Sequence, residues 1–600
     1  LRSFSSRIVS LIVLEATLAE KTISNVTVFL SDKGSNLAGE SHHAILALLK
    51  ALEAGLTDDL EAAFHLASID PGIGKTVSVA QFLKAWKANG FRPISSVLIG
   101  VSRLGEIESY LRHAGLDRDD IAVLTRDDDM NALGVSREDH GSAPVMFTTQ
   151  QMIQSRTRGR SFAEASEFHY ADKPRALRVW DESLLPAEDV TIRVDDLGLF
   201  ASPLRLTHGK FVEALKAFQR TLWDAKPGDT ITIPQVLADL VPAAKLPEDQ
   251  RKLLAQLARA GGQDFLLLDV RKGDIKLAGA VPSIPDDFAP AVILDASGRV
   301  RTTYSIWEKH RGTLRRLPSA ANDYQALAVH LWMKPSGQRS LESLTKRRDV
   351  VEAIANRINE STPAEWLIVH YRGNEAIFSE VMASVQAEPG RNIHSLTWGQ
   401  HHGLNDFADV PNVVIVGQLT YDGAAYPARA AAAAGKPAGT LGEALWGEVR
   451  VGEFQHHLLQ AVCRASARRS RDGQAGYCRA FVIASPFEGI EDRVKETFPG
   501  CRLFKWEPAP QPLEGRVAQA ADYLRKRFAD ASVERVTKKE VYEAIGMKAT
   551  NFGTDVIRHL DFADFLGREH VFVNHNHFEK HRPAFEPLPG GWVYEDDAVA

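Results

Sequence analysis

Cysteine is almost missing from this chain: Cys463, Cys478 and Cys501 are the only three in 600 residues. Three thiols cannot build a disulfide framework and fall short of a four-cysteine zinc or iron–sulfur site. A reducing, cytoplasmic setting is therefore expected. Long apolar runs are missing too. None reaches the roughly 20 residues a membrane helix needs, so no membrane partner is expected. The longest early run, Ile8 to Leu14, follows Arg2 and Arg7 and loosely resembles a signal peptide. Glu15 closes it, and a buried strand or helix segment is the better reading. Positive charge is also scarce. Lys and Arg number 71 against 77 Asp and Glu, a formal net charge of -6. No global basic field points to nucleic acid, and any such binding must use a local surface.

What the chain has is alternation. At 600 residues it is too long for one core and implies about three or four domains. Between residues 64 and 153 the apolar runs "FHLASI", "SSVLIGVS", "IAVLT" and "APVMFTTQQMI" read as strands. Amphipathic helices are predicted between them at 75–88 and 104–115, and "RALRVWDESLL" (175–185) adds a strand that ends in acids. Alternating β and α units predict a parallel sheet with helices on both faces. Residues 186–290 break the pattern, with helices predicted at 210–225 and 248–261, and read as an insertion. "APAVILDAS" (289–297) returns to the first sheet. A second block follows, with strands predicted at 365–371, 392–398, 412–419 and 478–485. Within it, "ARAAAAAGKPAG" (428–439) reads as a surface helix or loop. Beyond the proline-rich stretch 507–515, residues 538–560 read as helix, turn at Gly546, helix, and 570–578 as a hairpin. That order predicts a winged helix-turn-helix.

The stretch "SIDPGIGKT" (68–76) lies between a strand and a helix, the setting of a phosphate loop. Gly72 and Gly74 would let backbone N–H groups surround phosphate oxygens, Lys75 would reach the β- and γ-phosphates, and Thr76 would place a hydroxyl on Mg²⁺. The plainer reading is a glycine turn with a surface lysine. Ile69 departs from the full pattern, which has Gly or Ala six positions before the lysine. "VWDES" then puts Asp181 and Glu182 at a strand end. Asp181 would hold Mg²⁺ through water and Glu182 would deprotonate an attacking water. Gln460, Arg464 and Arg468 are spaced to share one helix face, where arginines would stabilise charge on a transferred phosphoryl group.

With these pieces in order, the chain resembles the superfamily 2 helicases of the DEAD/DEAH type. Residues 64–76 resemble motif I, 97–107 motif Ia, 147–153 motif Ib, "DESL" (181–184) motif II, 366–372 motif IV, 397–407 motif V and 460–468 motif VI. "LDAS" (294–297) stands where motif III is expected. Cys463 replaces the motif VI glycine, and Arg468 comes one residue late, with Ala467 in the expected place. An insertion between motifs II and III resembles the arch of the iron–sulfur branch, without the cluster cysteines. The resemblance implies two RecA-like lobes in an α/β fold, with an inserted domain and a C-terminal winged-helix-like domain. The expected boundaries are an N-terminal extension 1–54, lobe one 55–185, insertion 186–290, return and connector 291–350, lobe two 351–506 and last domain 516–600.

The resemblance further implies ATP hydrolysis between the lobes, coupled to movement along a strand. Ser102, Arg103, Thr148 and Thr149 are the matching strand contacts in lobe one, and His370, Tyr371 and Arg372 are weaker matches in lobe two. His402 and Asn405 would couple nucleotide state to the strand. In the last domain Lys548, Thr550 and Asn551 begin the expected recognition helix, which would contact DNA or dock a protein partner. DNA, single-stranded or forked, is the expected partner, and RNA stays open. A nucleotide-dependent DNA-binding switch that recruits partners without unwinding fits the same motifs.

Overall fold

The computed structural model describes residues 16–399, 406–508, 513–530, 532–559, 562, 565–566, 569 and 571–580. The expected α/β architecture is present, with two parallel sheets. The first has seven strands in the order Leu314–Arg316, Phe64–Ala67, Ala291–Leu294, Leu177–Asp181, Val97–Val101, Val145–Thr149 and Ile121–Leu124. Every pairing in it is parallel. Its strands Val97–Val101, Ile121–Leu124 and Ala291–Leu294 are apolar and buried along their whole length, as strands covered on both faces must be. The run 143–153 is shorter as a strand than expected. Thr149 caps a helix, Gln150–Arg156, by accepting from the Met152 N–H at 3.2 Å.

The second sheet has six parallel strands: Ile393–Thr397, Trp366–His370, Asn412–Val416, Cys478–Ala484, Leu327–Met333 and Arg502–Lys505. Leu327–Met333 falls within the expected connector 291–350 and is instead a strand of this sheet. It pairs along its whole length with Cys478–Ala484, so the second lobe begins well before residue 351.

Between the strands Leu177–Asp181 and Ala291–Leu294, the inserted segment folds as a four-stranded antiparallel sheet in the order Ala187–Arg193, Ile275–Pro282, Asp264–Asp269, Thr230–Thr232. The helices Gly209–Asp224 and Glu248–Ala260 contribute to its apolar core. The alanine run is a correction. Residues Ala425–Ala434 form a helix whose Ala428 and Ala430 to Ala434 are all buried. It packs against Ala187–Arg193 and Ile275–Pro282 of the insertion and against the helices Thr302–Arg311 and Glu443–Val462. Side chains no larger than methyl let three bodies approach one helix. Gly439 beside it has the same cause, since a Cβ there would stand 2.6 Å from Thr230 Oγ1.

Residues beyond 513 form a helix, Gly515–Ala529, then Arg535–Thr537, Lys538–Ala544, Ala549–Phe552 with a wider turn over Gly553–Ile557, and a pair of strands, Val571–Val573 and His577–Lys580. The three strands make one antiparallel sheet. Ile8 to Leu14, read above as a buried segment, lies outside the described residues, as do His402 and Asn405.

Candidate functional site

The loop 70–74 leaves the strand Phe64–Ala67 and enters the Lys75–Ala88 helix. Gly72 and Gly74 adopt φ of 89° and 115°, which side chains other than hydrogen resist. A Cβ on Gly72 would also lie 1.9 Å from the Arg468 carbonyl oxygen of the second lobe. The helix start has no side-chain cap, so its N–H groups and positive dipole end face the loop. Lys75 Nζ donates to the Ile69 carbonyl. Burial lowers the Lys75 pKa, against the pull of Glu182, Asp181, Asp70 and Asp295.

Asp181 ends its strand fully packed, and Tyr110 donates its hydroxyl to Asp181 Oδ2 at 2.7 Å. Burial, reinforced by Glu106 and Glu182, pushes its carboxyl up to about 8. Glu182 follows at φ 89°, a left-handed conformation rare for a side chain of this size. Burial raises its pKa, and Arg464 and Lys75 oppose that rise. The second lobe thus brings its arginine to the acid that also faces the lysine of the first.

The route by which the arginines arrive differs from the expectation of one helix face. The helix Glu443–Val462 carries Gln460 but stops before Arg464. The chain then turns tightly, with Arg464 N–H donating to Ala461 O at 3.1 Å, and Arg468 lies in the next short turn, Ser466–Arg468. Arg464 Nη2 donates to Gln460 Oε1 at 2.8 Å. Burial and the neighbouring Arg468 lower Arg464 to about 10, with Glu182 opposing. Arg468 is lowered by burial and likewise feels Glu182.

The strand-contact candidates separate. Thr148 is fully buried and donates to Leu124 O at 2.6 Å, so it serves the sheet rather than a ligand. His370 is buried between Ser395 and the Tyr371 carbonyl, and Tyr371 donates to Gln418 O at 2.5 Å, so both are structural. Ser102 is exposed and bonded to Glu106, and Thr149 is half-buried at its cap. Arg103 Nη2 reaches Gly399 O of the other lobe at 3.4 Å. Arg372 is exposed, as are Lys548, Thr550 and Asn551. A groove of about 860 Å³, lined by Arg126, Gln151, Gln154 and Arg158 of the first lobe, runs beside Arg259 of the insertion.

Sequence reasoning missed a buried relay behind the acids. The Leu184 N–H donates to Tyr304 Oη at 3.0 Å, and Tyr304 donates to Asp295 Oδ2 at 2.8 Å. Asp295 accepts from Ser297 Oγ at 2.6 Å, and Ser297 Oγ meets His456 Nδ1 at 2.6 Å. His456 lies on the helix that carries Gln460, the partner of Arg464, so the segment after Glu182 is wired to the helix that leads into the arginine turns. It missed as well a buried charge group, in which Glu453 holds Arg301 at 2.7 Å and also Arg429, which reaches Asp189 of the insertion at 3.2 Å. The "LDAS" stretch signalled its place by position alone, and nothing in the sequence pairs residues this far apart.

No protein-family model and no curated protein matches the chain. Among solved structures it is similar to Xpd4 of S. tokodaii, at 13% identity and TM-score 0.42, over 77% of this chain and 99% of that one. It is similar to the DUF1998 helicase MrfA bound to DNA, at 11% identity and TM-score 0.37, over 95% and 64%. It is similar to S. cerevisiae Dbp5 bound to RNA and ADP BeF3, at 10% identity and TM-score 0.34, over 85% and 98%. Among the described residues no helix is long and apolar enough to cross a membrane, and no group of three or more side chains is placed to hold a metal ion.

Proposed function

We propose that this chain is an ATP-dependent nucleic-acid motor of the superfamily 2 kind. In this reading it hydrolyses ATP between its two parallel-sheet lobes and uses the resulting motion to travel along, and open, a DNA strand. One observation carries the reading: the Lys75 loop of one lobe lies against the arginine turn of the other, so closely that a Cβ on Gly72 would stand 1.9 Å from the Arg468 carbonyl oxygen, and the Glu182 carboxyl is influenced by both Lys75 and Arg464.

Gly72, Gly74 and the N–H groups at the start of the Lys75–Ala88 helix would cradle the phosphates, and Lys75 would pair with them. Thr76 and Asp181 fit Mg²⁺, since both offer oxygen, and the raised pKa of Asp181 marks a carboxylate crowd that a cation relieves. Thr76 would hold this ion by its hydroxyl and Asp181 would hold it through water. Bound there, the ion would supply neutralisation of phosphate charge. Glu182, a stronger base for its burial, takes the proton of the attacking water. Arg464 and Arg468 stabilise the charge that develops on the transferred group, with Gln460 holding Arg464 in line.

Ser102, Arg103, Thr149 and Arg372 would grip strand phosphates, with Arg126 and Arg158 in the groove beside the insertion. The last domain, with helix, helix and a strand pair in winged-helix order, would present Lys548 and Asn551 to DNA, or its outer face to a protein partner. The three free cysteines suit the cytoplasm. Strand displacement on a fluorescent forked DNA duplex with ATP tests the proposal. The wild type separates the strands and Lys75→Ala does not. ATP turnover with an intact duplex would leave a switch or a pure translocase, and stronger stimulation by RNA than by DNA would change the substrate.

A further inference from the structure

Asp70 stands at the threshold of the Lys75 loop, and none of it is exposed. Carboxylates are seldom buried completely unless they are paired. Its oxygens accept from Arg299 Nε at 2.9 Å and Nη2 at 3.2 Å, from the Asn322 N–H at 3.1 Å and from the Tyr324 hydroxyl at 2.8 Å. These donors belong to different parts of the molecule. Arg299 follows the strand Ala291–Leu294 of the first lobe, yet its Nη1 and Nη2 donate to the carbonyls of Glu496 and Thr497 in the second, at 2.8 and 2.6 Å. Those carbonyls close the helix Ile490–Thr497, where a cation also meets the negative end of the helix dipole.

Asn322 and Tyr324 belong to the short connector between the lobes. At its start Ala320 pairs with Ile69, accepting from the Asp70 N–H at 2.9 Å. Three residues on it has crossed: Asp323 N–H donates to Gly473 O and Tyr324 N–H to Pro499 O, both at 2.8 Å. Asn322 Nδ2 donates to Pro71 O of the loop at 3.1 Å, while its Oδ1 accepts from Ser470 Oγ of the second lobe at 2.7 Å. Tyr324 completes the join by packing edge-on to Phe498 at 5.1 Å.

We propose that Asp70 is a positioning residue, the buried pivot that fixes the Lys75 loop to the lobe connector and to the second lobe. The proposal rests on the motor reading for its consequence in turnover, and on geometry alone for the pivot. An isolated loop could be held by any carbonyl. This carboxylate is placed so that a displacement of the second lobe pulls on Arg299 and the connector together, and both pull on the residue five positions before the lysine. The distance between Lys75 and Arg464 is then set by Asp70 without its touching nucleotide.

The test uses the full chain with Asp70→Asn, which keeps shape and removes charge, and Tyr324→Phe, which removes one donor and spares the fold. Hydrogen exchange reads the pivot directly. In Asp70→Asn, peptides covering 318–326 and 494–500 should lose protection by about tenfold or more, while the core strand Asn412–Val416 keeps its own. Turnover reads its consequence. The affinity for a fluorescent ATP analogue should stay within about twofold, while kcat falls by about tenfold in Asp70→Asn and less in Tyr324→Phe. Arg299→Gln should lose as much kcat as Asp70→Asn, and the double variant no more than either, because one linkage is broken. Unchanged protection in both peptides overturns the pivot whether or not the protein hydrolyses ATP. Loosened peptides with unchanged kcat overturn the positioning role. A wild type that neither binds nor hydrolyses ATP overturns the motor reading and leaves the exchange result to decide the pivot.

Discussion

Asp181 and Glu453 are both buried carboxylates in the zone between the lobes, and their acidities move in opposite directions. Burial disfavours the charge of each. At Asp181 burial, reinforced by Glu106 and Glu182, outweighs Lys75, and the carboxyl rises to about 8. At Glu453 Arg301 and Arg429 outweigh burial and hold it down to about 2. One region has gathered more acid than its lysine and arginines offset; the other has paired every charge it buried. The second pattern is what a fixed joint needs. The first is what a site needs when its compensation arrives with a ligand.

The largest expected effect falls in the uncompensated region. Glu182→Gln should keep nucleotide affinity and lose about 10²- to 10⁴-fold in steady-state ATP turnover. Normal turnover in that variant would remove Glu182 as the base. In the compensated region Glu453→Gln should cost about 3–5 kcal/mol in urea unfolding, because two arginines are left buried around a neutral group. A cost below about 1 kcal/mol would show that solvent already reaches the network. The pH dependence has a definite sign. Folding lowers the Glu453 pKa below its ordinary value, so its contribution is complete above about pH 5 and is lost as pH falls towards 2. The wild type should therefore lose more stability than Glu453→Gln over that window.

The joint should also resist enlargement. Ala431→Leu puts extra methyl groups where the alanine helix meets Leu266 of the inserted sheet, and should cost about 1–3 kcal/mol in the same unfolding measurement. The smallest effect sharpens the contrast. Asp181→Asn should gain about 0.5–2 kcal/mol at pH 9, because it removes a carboxylate that the fold prefers protonated. That preference stabilises below the ordinary carboxylate range and is lost as pH rises through about 8, so the gain should shrink at pH 5. A destabilised Asp181→Asn at high pH would mean that the two carboxylates are not opposites.

Much of this architecture was legible because parallel sheets buried on both faces write themselves as short apolar runs. The strand before Gly72, the helix from Lys75 and the strand ending at Asp181 lie where the pattern placed them. Local spacing failed where the partner is distant. The alanine run looked solvated because its composition is simple, and it is buried because three neighbours need its small side chains. Leu327–Met333 reads as a connector in the sequence because it precedes the block whose strands it joins. Gln460, Arg464 and Arg468 were given one helix face, whereas the helix ends between the first and second. Thr148 matched a motif and turned out to bond its own sheet. Asp70, Tyr304 and Glu453 carried no signal, since each has a partner more than a hundred positions away.

Arg464→Ala, measured for nucleotide affinity and for single-turnover hydrolysis in the same preparation, tests most directly whether the second lobe acts on nucleotide held by the first. Hydrolysis should fall by about 10³-fold or more, with affinity within about threefold. An equal loss in both, or hydrolysis at the wild-type rate, would contradict the account.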